Sequence, residues 1–135
     1  MNQSCWLEPG TIGRVGRILD ELNAKSLLLV ADSNAYEQSG AKQRLSGELA
    51  PRHVIRVTGF KPSPNLGDVQ RGLETVGDSN FDAVIAVGGG SAIDLAKLVG
   101  TLAVQDDPPR PIIEGSVPLR RDGAPLIAVP TTAGT

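Results

Sequence analysis

Apolar residues fall into two kinds of stretch along the chain: short aliphatic runs, and longer segments where they recur at three- and four-residue steps. Leu27, Leu28, Leu29, Val30 and Ala31 form an unbroken run, as do Ala83, Val84, Ile85, Ala86 and Val87 and, later, Leu126, Ile127, Ala128 and Val129. Unbroken runs of this length predict strands covered on both faces. Val54, Ile55 and Val57, alternating with Arg56, predict a fourth and weaker strand. Helical spacing links Ile12, Val15, Ile18, Leu19 and Leu22, and again Val69, Leu73 and Val76, for which Asp68 is the expected N-cap. Residues 36–49 lack proline and space Ala41, Leu45 and Leu49 four apart, which predicts one largely exposed helix. Residues 91–104 form the strongest helical pattern, with Ile93, Ala96, Leu98, Val99, Leu102 and Ala103 as a broad apolar stripe.

Strands alternating with helices of this length predict an α/β fold: a doubly wound, mostly parallel, Rossmann-like sheet built from βαβ units. The 135 residues fit one domain. Two segments break the alternation. Residues 59–67, with Pro62 and Pro64, predict a constrained loop, and residues 105–125, with Pro108, Pro109, Pro111, Pro118 and Pro125, predict a long excursion. Loops of that length inside a compact domain are usually functional or mobile.

Composition narrows the function classes. Thirteen Lys and Arg against fifteen Asp and Glu leave a net charge of −2, with no basic block, so nucleic acid is not an expected partner. Trp6, Tyr36, Phe60 and Phe81 are too scattered to stack single-stranded bases. Cys5 is the only cysteine, which excludes an intrachain disulfide and a thiolate zinc site and makes the reducing cytoplasm the expected compartment. The N-terminal residues do not read as a signal peptide and no aliphatic run approaches membrane length, so neither secretion nor membrane spanning is expected. The single histidine, His53, sits beside Val54, Ile55 and Val57 and reads as a strand or strand-edge residue, not a ligand.

The chemistry concentrates where the strongest strand meets the strongest helix, at Val87, Gly88, Gly89, Gly90, Ser91, Ala92, Ile93 and Asp94. Consecutive glycines let backbone amides approach a ligand, and a helix opening at Ser91 would add its positive dipole end, which suits a pyrophosphate. The competing reading is a tight turn, with Ser91 as N-cap and Asp94 completing a capping-box contact. Asp32 follows the run ending at Ala31 and can accept bonds from both ribose hydroxyls while repelling a 2′-phosphate, which favours NAD over NADP. It reads equally as an Asx-turn or N-cap. Thr131, Thr132 and Thr135 follow the last strand and offer hydroxyls and amides to a nucleotide, or form an ordinary turn.

Two segments, GGGSAIDLAK at residues 88–97 and PLIAVPTTAGT at residues 125–135, resemble signature segments of the iron-containing (group III) alcohol dehydrogenase family, in the family's order and separation. Phe60, Lys61, Pro62, Ser63, Pro64 and Asn65 resemble its proline–asparagine loop, and Val30, Ala31 and Asp32 its first nucleotide-contacting strand end. The resemblance covers essentially the whole chain and implies a dinucleotide-binding domain at residues 1–135. It implies NAD as cofactor, with Asp32 on the adenosine ribose, Asn65 on the nucleotide, and Gly89, Gly90 and Ser91 on the pyrophosphate. Asp94 would face the nicotinamide end, and Thr131, Thr132 and Thr135 the adenine and phosphate side. Lys97 belongs to the same motif and reads mainly as helix electrostatics. The family usually places proline after the loop asparagine, where this chain has Leu66.

The resemblance further implies a divalent metal, iron or sometimes zinc, held by an aspartate and histidines of a helical C-terminal half that this chain does not contain. No catalytic or metal-ligating residue is therefore expected here, and turnover by these residues alone is not expected; the end at Thr135 reads as a cut. A small alcohol or aldehyde is the implied substrate, and a homo-oligomer is compatible with the family. Ser39, Gly40 and Ala41, together with the wording of the glycine motif, are similar to the branch that reduces phosphonoacetaldehyde. Two alternatives stay open: a dehydroquinate-synthase-like or polyol-phosphate dehydrogenase relative, and a stand-alone, non-catalytic nucleotide-binding module.

Overall fold

The chain builds one five-stranded sheet in which every strand pairing is parallel. The structure is a computed structural model that describes residues 5–6, 11–60 and 63–130. In chain order the strands are β1 (Cys5–Trp6), β2 (Ser26–Ala31), β3 (His53–Val57), β4 (Ala83–Gly88) and β5 (Leu126–Pro130). The helices are α1 (Val15–Glu21), α2 (Ser33–Gln38), α3 (Ala41–Leu49), α4 (Leu66–Val76), α5 (Gly90–Leu102) and α6 (Pro109–Ile113). In space the strands run β3, β2, β4, β5, β1, with Leu28 opposite Ile55 on one side and Val84 on the other.

The unbroken runs are the central strands, for the reason expected of them: each has helices on both sides. Leu27, Leu29, Ala31, Ile85 and Val87 point into a core closed by α1, α2 and α3, through Leu19, Tyr36 and Leu45 among others. Leu28, Val30, Val84 and Ala86 point the other way, onto Val69 and Val76 of α4 and Leu95 and Val99 of α5. The alternating strand is the sheet edge. On β3, Ile55 and Val57 are buried while His53 and Arg56 are exposed, so His53 is the edge-strand residue expected of it.

Several boundaries differ from the sequence expectations. The predicted helix at residues 36–49 is two helices, starting at Ser33 and broken where Gly40 takes φ +83°, a left-handed conformation that ends the first and admits the second. The N-cap of α4 is Asn65, not Asp68. Asp68 instead completes a capping box, its Oδ2 accepting from Asn65 N at 3.0 Å while its own N donates to Asn65 Oδ1 at 2.9 Å. Helix α5 begins at Gly90 behind an N-cap at Gly89, so Ser91 is not the cap and does not pair with Asp94 in a capping box. A 3₁₀ turn at Thr11–Arg14 precedes α1, and β1 adds an edge strand too short for any periodicity to reveal. The excursion at residues 105–125 contains the short helix α6 and is pinned by Gln105. The Gln105 amide nitrogen donates to the carbonyls of Thr101 (2.9 Å) and Arg121 (2.7 Å), and its Oε1 accepts from Arg120 N (2.9 Å).

Candidate functional site

The strand order creates a crevice at a definite place. From β2 the chain moves outward to β3 through α2 and α3 on one face; from β4 it moves the opposite way to β5 through α5 on the other face. Crossovers of one hand that run in opposite directions must use opposite faces, so the sheet opens between the carboxyl ends of β2 and β4. Asp32 and Gly88 flank that opening, and Asp32 N donates to Val87 O at 3.0 Å, tying the two strand ends together.

The three glycines have three different circumstances. Gly88 takes φ +143°, and a Cβ there would lie 3.0 Å from Ala92 Cβ and 3.1 Å from Asp32 Cβ, so both its conformation and its surroundings require glycine. Gly89 is extended and caps α5 with no side-chain hydrogen bond. Gly90 is the first residue of α5, and a Cβ there would meet nothing within 4 Å. Folding alone therefore accounts for Gly88 and leaves the open face at Gly90 without a structural use. The first turn of α5, at the positive end of a 13-residue helix, has no side-chain cap.

The other expected site residues surround this turn. Asp32 is the N-cap of α2, its Oδ1 accepting from Ala35 N at 3.0 Å, so the capping reading holds for one carboxylate oxygen. Its Oδ2 has no hydrogen-bond partner among the described residues. Ser91 Oγ accepts from Ser63 N at 3.0 Å, which docks the proline-containing loop onto the start of α5. Ser63 takes φ +54° at this tie, which joins residues 28 apart and has no signal in the sequence beyond the flanking prolines. Asn65 holds its Oδ1 in the capping box, and its amide nitrogen has no hydrogen-bond partner among the described residues. Leu66 is the first residue of α4, a position that proline occupies readily, so the departure from the family's wording leaves the turn geometry intact. Asp94 and Lys97 are exposed on α5. Thr131, Thr132 and Thr135 lie outside the described residues; Pro130, just before them, pairs with Gly88.

Among the described residues, no three His, Cys, Asp or Glu side chains come together as a metal site would need. No helix among them is long and apolar enough to cross a membrane.

Comparison with known proteins adds the following. The family model for iron-containing alcohol dehydrogenase matches residues 2–135. Long-chain-alcohol dehydrogenase 1 of Geobacillus thermodenitrificans (strain NG80-2) is 33% identical over 129 residues, covering 93% of this chain and 33% of that protein. Lactaldehyde reductase of Escherichia coli (strain K12) is 27% identical over 138 residues, covering 100% of this chain and 36% of the relative. Among solved structures, sulfoacetaldehyde reductase from Bifidobacterium kashiwanohense in complex with NAD+ superposes with a TM-score of 0.79 at 26% identity, over 98% of this chain and 35% of that one. The chain thus spans about a third of the length of the relatives it matches.

Proposed function

The chain belongs to the iron-containing alcohol dehydrogenase family, and from that premise we propose that it is the dinucleotide-binding domain of an enzyme that moves hydride between NAD(H) and a small alcohol or aldehyde. The observation that carries this reading is the turn from β4 into α5, where Gly90 faces open space and the first-turn amides have no side-chain cap. In this reading the amides around Gly89 and Gly90 bind the pyrophosphate oxygens, favoured by the helix dipole. The Ser91 hydroxyl, which already accepts from Ser63 N, keeps its proton to donate to a phosphate oxygen. Asp32, fixed through Oδ1, presents Oδ2 to the ribose hydroxyls, and its charge disfavours a 2′-phosphate at that oxygen. Asn65 offers its amide nitrogen to the nucleotide, Asp94 lies on α5 toward the nicotinamide end, and Thr131, Thr132 and Thr135 complete the adenine and phosphate side.

The cofactor supplies the hydride chemistry, and the domain's contribution is to fix where its reactive ring lies. A divalent metal of the kind the family implies, iron or zinc, would supply Lewis-acid chemistry to the full-length enzyme. The described residues hold no ligand set that fits it. Its ligands, in this proposal, belong to the part of the relatives' length that the chain does not span, so these 135 residues bind NAD without turning substrate over. The named relatives act on alcohols and aldehydes, which supports the dehydrogenase reading over a dehydroquinate-synthase-like or polyol-phosphate enzyme. A substrate as polar as phosphonoacetaldehyde is the finer form of the proposal, and a cytoplasmic location belongs with it.

Calorimetric titration with NAD+ tests the domain directly. Saturable binding that Gly90→Val removes supports the reading; unchanged affinity in that variant overturns the pyrophosphate assignment. Joined to the C-terminal part that the relatives possess, the protein should oxidise alcohols with NAD+ and lose that activity to a chelator. Activity indifferent to metal removal counts against the family chemistry.

A further inference from the structure

On the opposite side of α2 from the glycine turn, a groove runs between the edge strand β3 and helices α2 and α3. It consists of two clefts, of about 200 and 380 Å³, which share Tyr36, Lys42 and Arg56. The smaller includes Ser33, next to Asp32, so the groove begins beside the proposed ribose position. Its origin is topological: β3 is the sheet edge, and α2 with α3 cover β2 but leave the outer part of β3 open on this face.

Two side chains in the groove have no hydrogen-bond or ion-pair partner among the described residues, the nearly buried Tyr36 and the exposed Arg56. Tyr36 is 7% exposed, yet its hydroxyl has no hydrogen-bond partner among the described residues. A buried phenol ordinarily finds one. Arg56, in register with Leu29 on β3, has no ion pair among the described residues. Burial pushes the Tyr36 phenol above its usual range while the Arg56 charge pulls the other way, and the two side chains line both clefts together. Arg52 also lines the groove but is fully engaged elsewhere, donating to Ala24 O at 2.9 Å and to Asp20 Oδ1 at 2.6 Å. Lys42 is only loosely held, 3.6 Å from Glu37, and both ends of that pair are largely exposed.

We propose that this groove is an anion subsite for a phosphate group, with the Arg56 fork and the Tyr36 hydroxyl as its donors and Lys42 as a mobile second cation. A tetrahedral phosphate can accept two parallel bonds from a guanidinium and a third from a phenol, which gives the buried Tyr36 hydroxyl the partner it lacks. Glu37 opposes binding, because it competes for Lys42 and lines the smaller cleft with negative charge. The phosphate is carried by a separate small molecule or at the 2′ position of a dinucleotide, and in the second case the Arg56 and Lys42 charges must outweigh the repulsion from Asp32 Oδ2.

The test compares inorganic phosphate, NAD+ and NADP+ by calorimetry on the wild type and on Arg56→Gln, Tyr36→Phe and Glu37→Gln, with near-unchanged unfolding transitions showing that each variant is folded. Inorganic phosphate should bind the wild type, lose about tenfold or more in affinity in Arg56→Gln, weaken in Tyr36→Phe and tighten in Glu37→Gln. An NADP+ affinity that falls with Arg56→Gln while NAD+ affinity stays constant assigns the phosphate to the dinucleotide. Phosphate binding with no such NADP+ response assigns it to a separate molecule. The proposal is overturned if neither phosphate nor NADP+ binding responds to Arg56→Gln and Tyr36→Phe. Because phosphate is measured without nucleotide, failure of NAD+ to bind would count against the dinucleotide reading and leave this one standing.

Discussion

Two strand-to-helix turns lie side by side at the carboxyl edge of the sheet and solve the same problem in opposite ways. After β2, the helix end is closed by a side chain, Asp32 Oδ1 accepting from Ala35 N. After β4, the helix end is left open: Gly89 caps α5 without a side chain and Gly90 faces space. A carboxylate at the first turn meets the helix's need for negative charge locally, whereas a glycine cap leaves amides and dipole unspent. The difference separates a helix start whose first turn is satisfied within the fold from one that is not, although both read in the sequence as small or polar residues after an aliphatic run. Gly88 is the hinge of the comparison, since its missing side chain lets the two turns pack at van der Waals distance.

The largest expected effect separates Gly88 from Gly90. Gly88→Ala forces a side chain into φ +143° against Ala92 and Asp32, and should cost about 2–4 kcal/mol of stability in a denaturant titration, with NAD+ binding lost alongside. Gly90→Val should leave stability within about 0.5 kcal/mol and still lower NAD+ affinity by roughly a hundredfold, or about 2.7 kcal/mol. If both variants lose stability alike, the open face at Gly90 is structural and the contrast between the turns collapses.

The parts of this architecture legible in the sequence are those written in contiguous residues. The run at residues 83–87 against the alternation at 54–57 distinguishes a covered strand from an edge strand because burial on one or two faces acts residue by residue. Asp32 and the glycine motif were legible as candidates because they follow aliphatic runs directly, although a cap and a tight turn use the same residues. What stayed hidden depends on distance or on context. The bond from Ser63 N to Ser91 Oγ joins residues 28 apart, and no local pattern encodes it. Gly40 lies between apolar positions that keep helical spacing, so the break there becomes visible only through its positive φ. The Asn65 capping box was present as Asn-x-x-Asp, but Asp68 alone satisfies the usual N-cap preference and drew the boundary three residues late. The Tyr36 and Arg56 groove was invisible because it exists only once β3 takes the sheet edge.

A middle-sized effect tests whether Asp32 carries two duties. Asn caps helices as well as Asp does, so Asp32→Asn should keep stability within a few tenths of a kcal/mol. Without the charge, NAD+ affinity should drop several-fold while the penalty against NADP+ shrinks, shifting the ratio of the two dissociation constants. Asp32→Ala should show the same nucleotide effect and add a loss of about 1 kcal/mol from the missing cap. A variant pair that differs in stability but not in nucleotide preference would reduce Asp32 to a cap and make the β2 turn wholly structural.

The smallest effect concerns the third capped helix at this edge. Asn65→Ala removes one half of the capping box and leaves Asp68 buried with only its N-terminal and Arg71 contacts, which should cost about 1 kcal/mol. Leu66→Pro restores the residue usual in the family at the first position of α4. Its amide is not needed by the helix, and Asn65, at φ −101° and ψ 179°, already has the extended backbone that a following proline requires. The substitution should therefore change the midpoint of unfolding by no more than about 0.5 kcal/mol and leave NAD+ affinity where it was. A loss as large as that of Asn65→Ala would mean that the Leu66 side chain, half-buried at this turn, holds the loop from Ser63 to Asn65 in place by packing. The tie between Ser63 and Ser91 would then depend on that side chain as well as on the capping box.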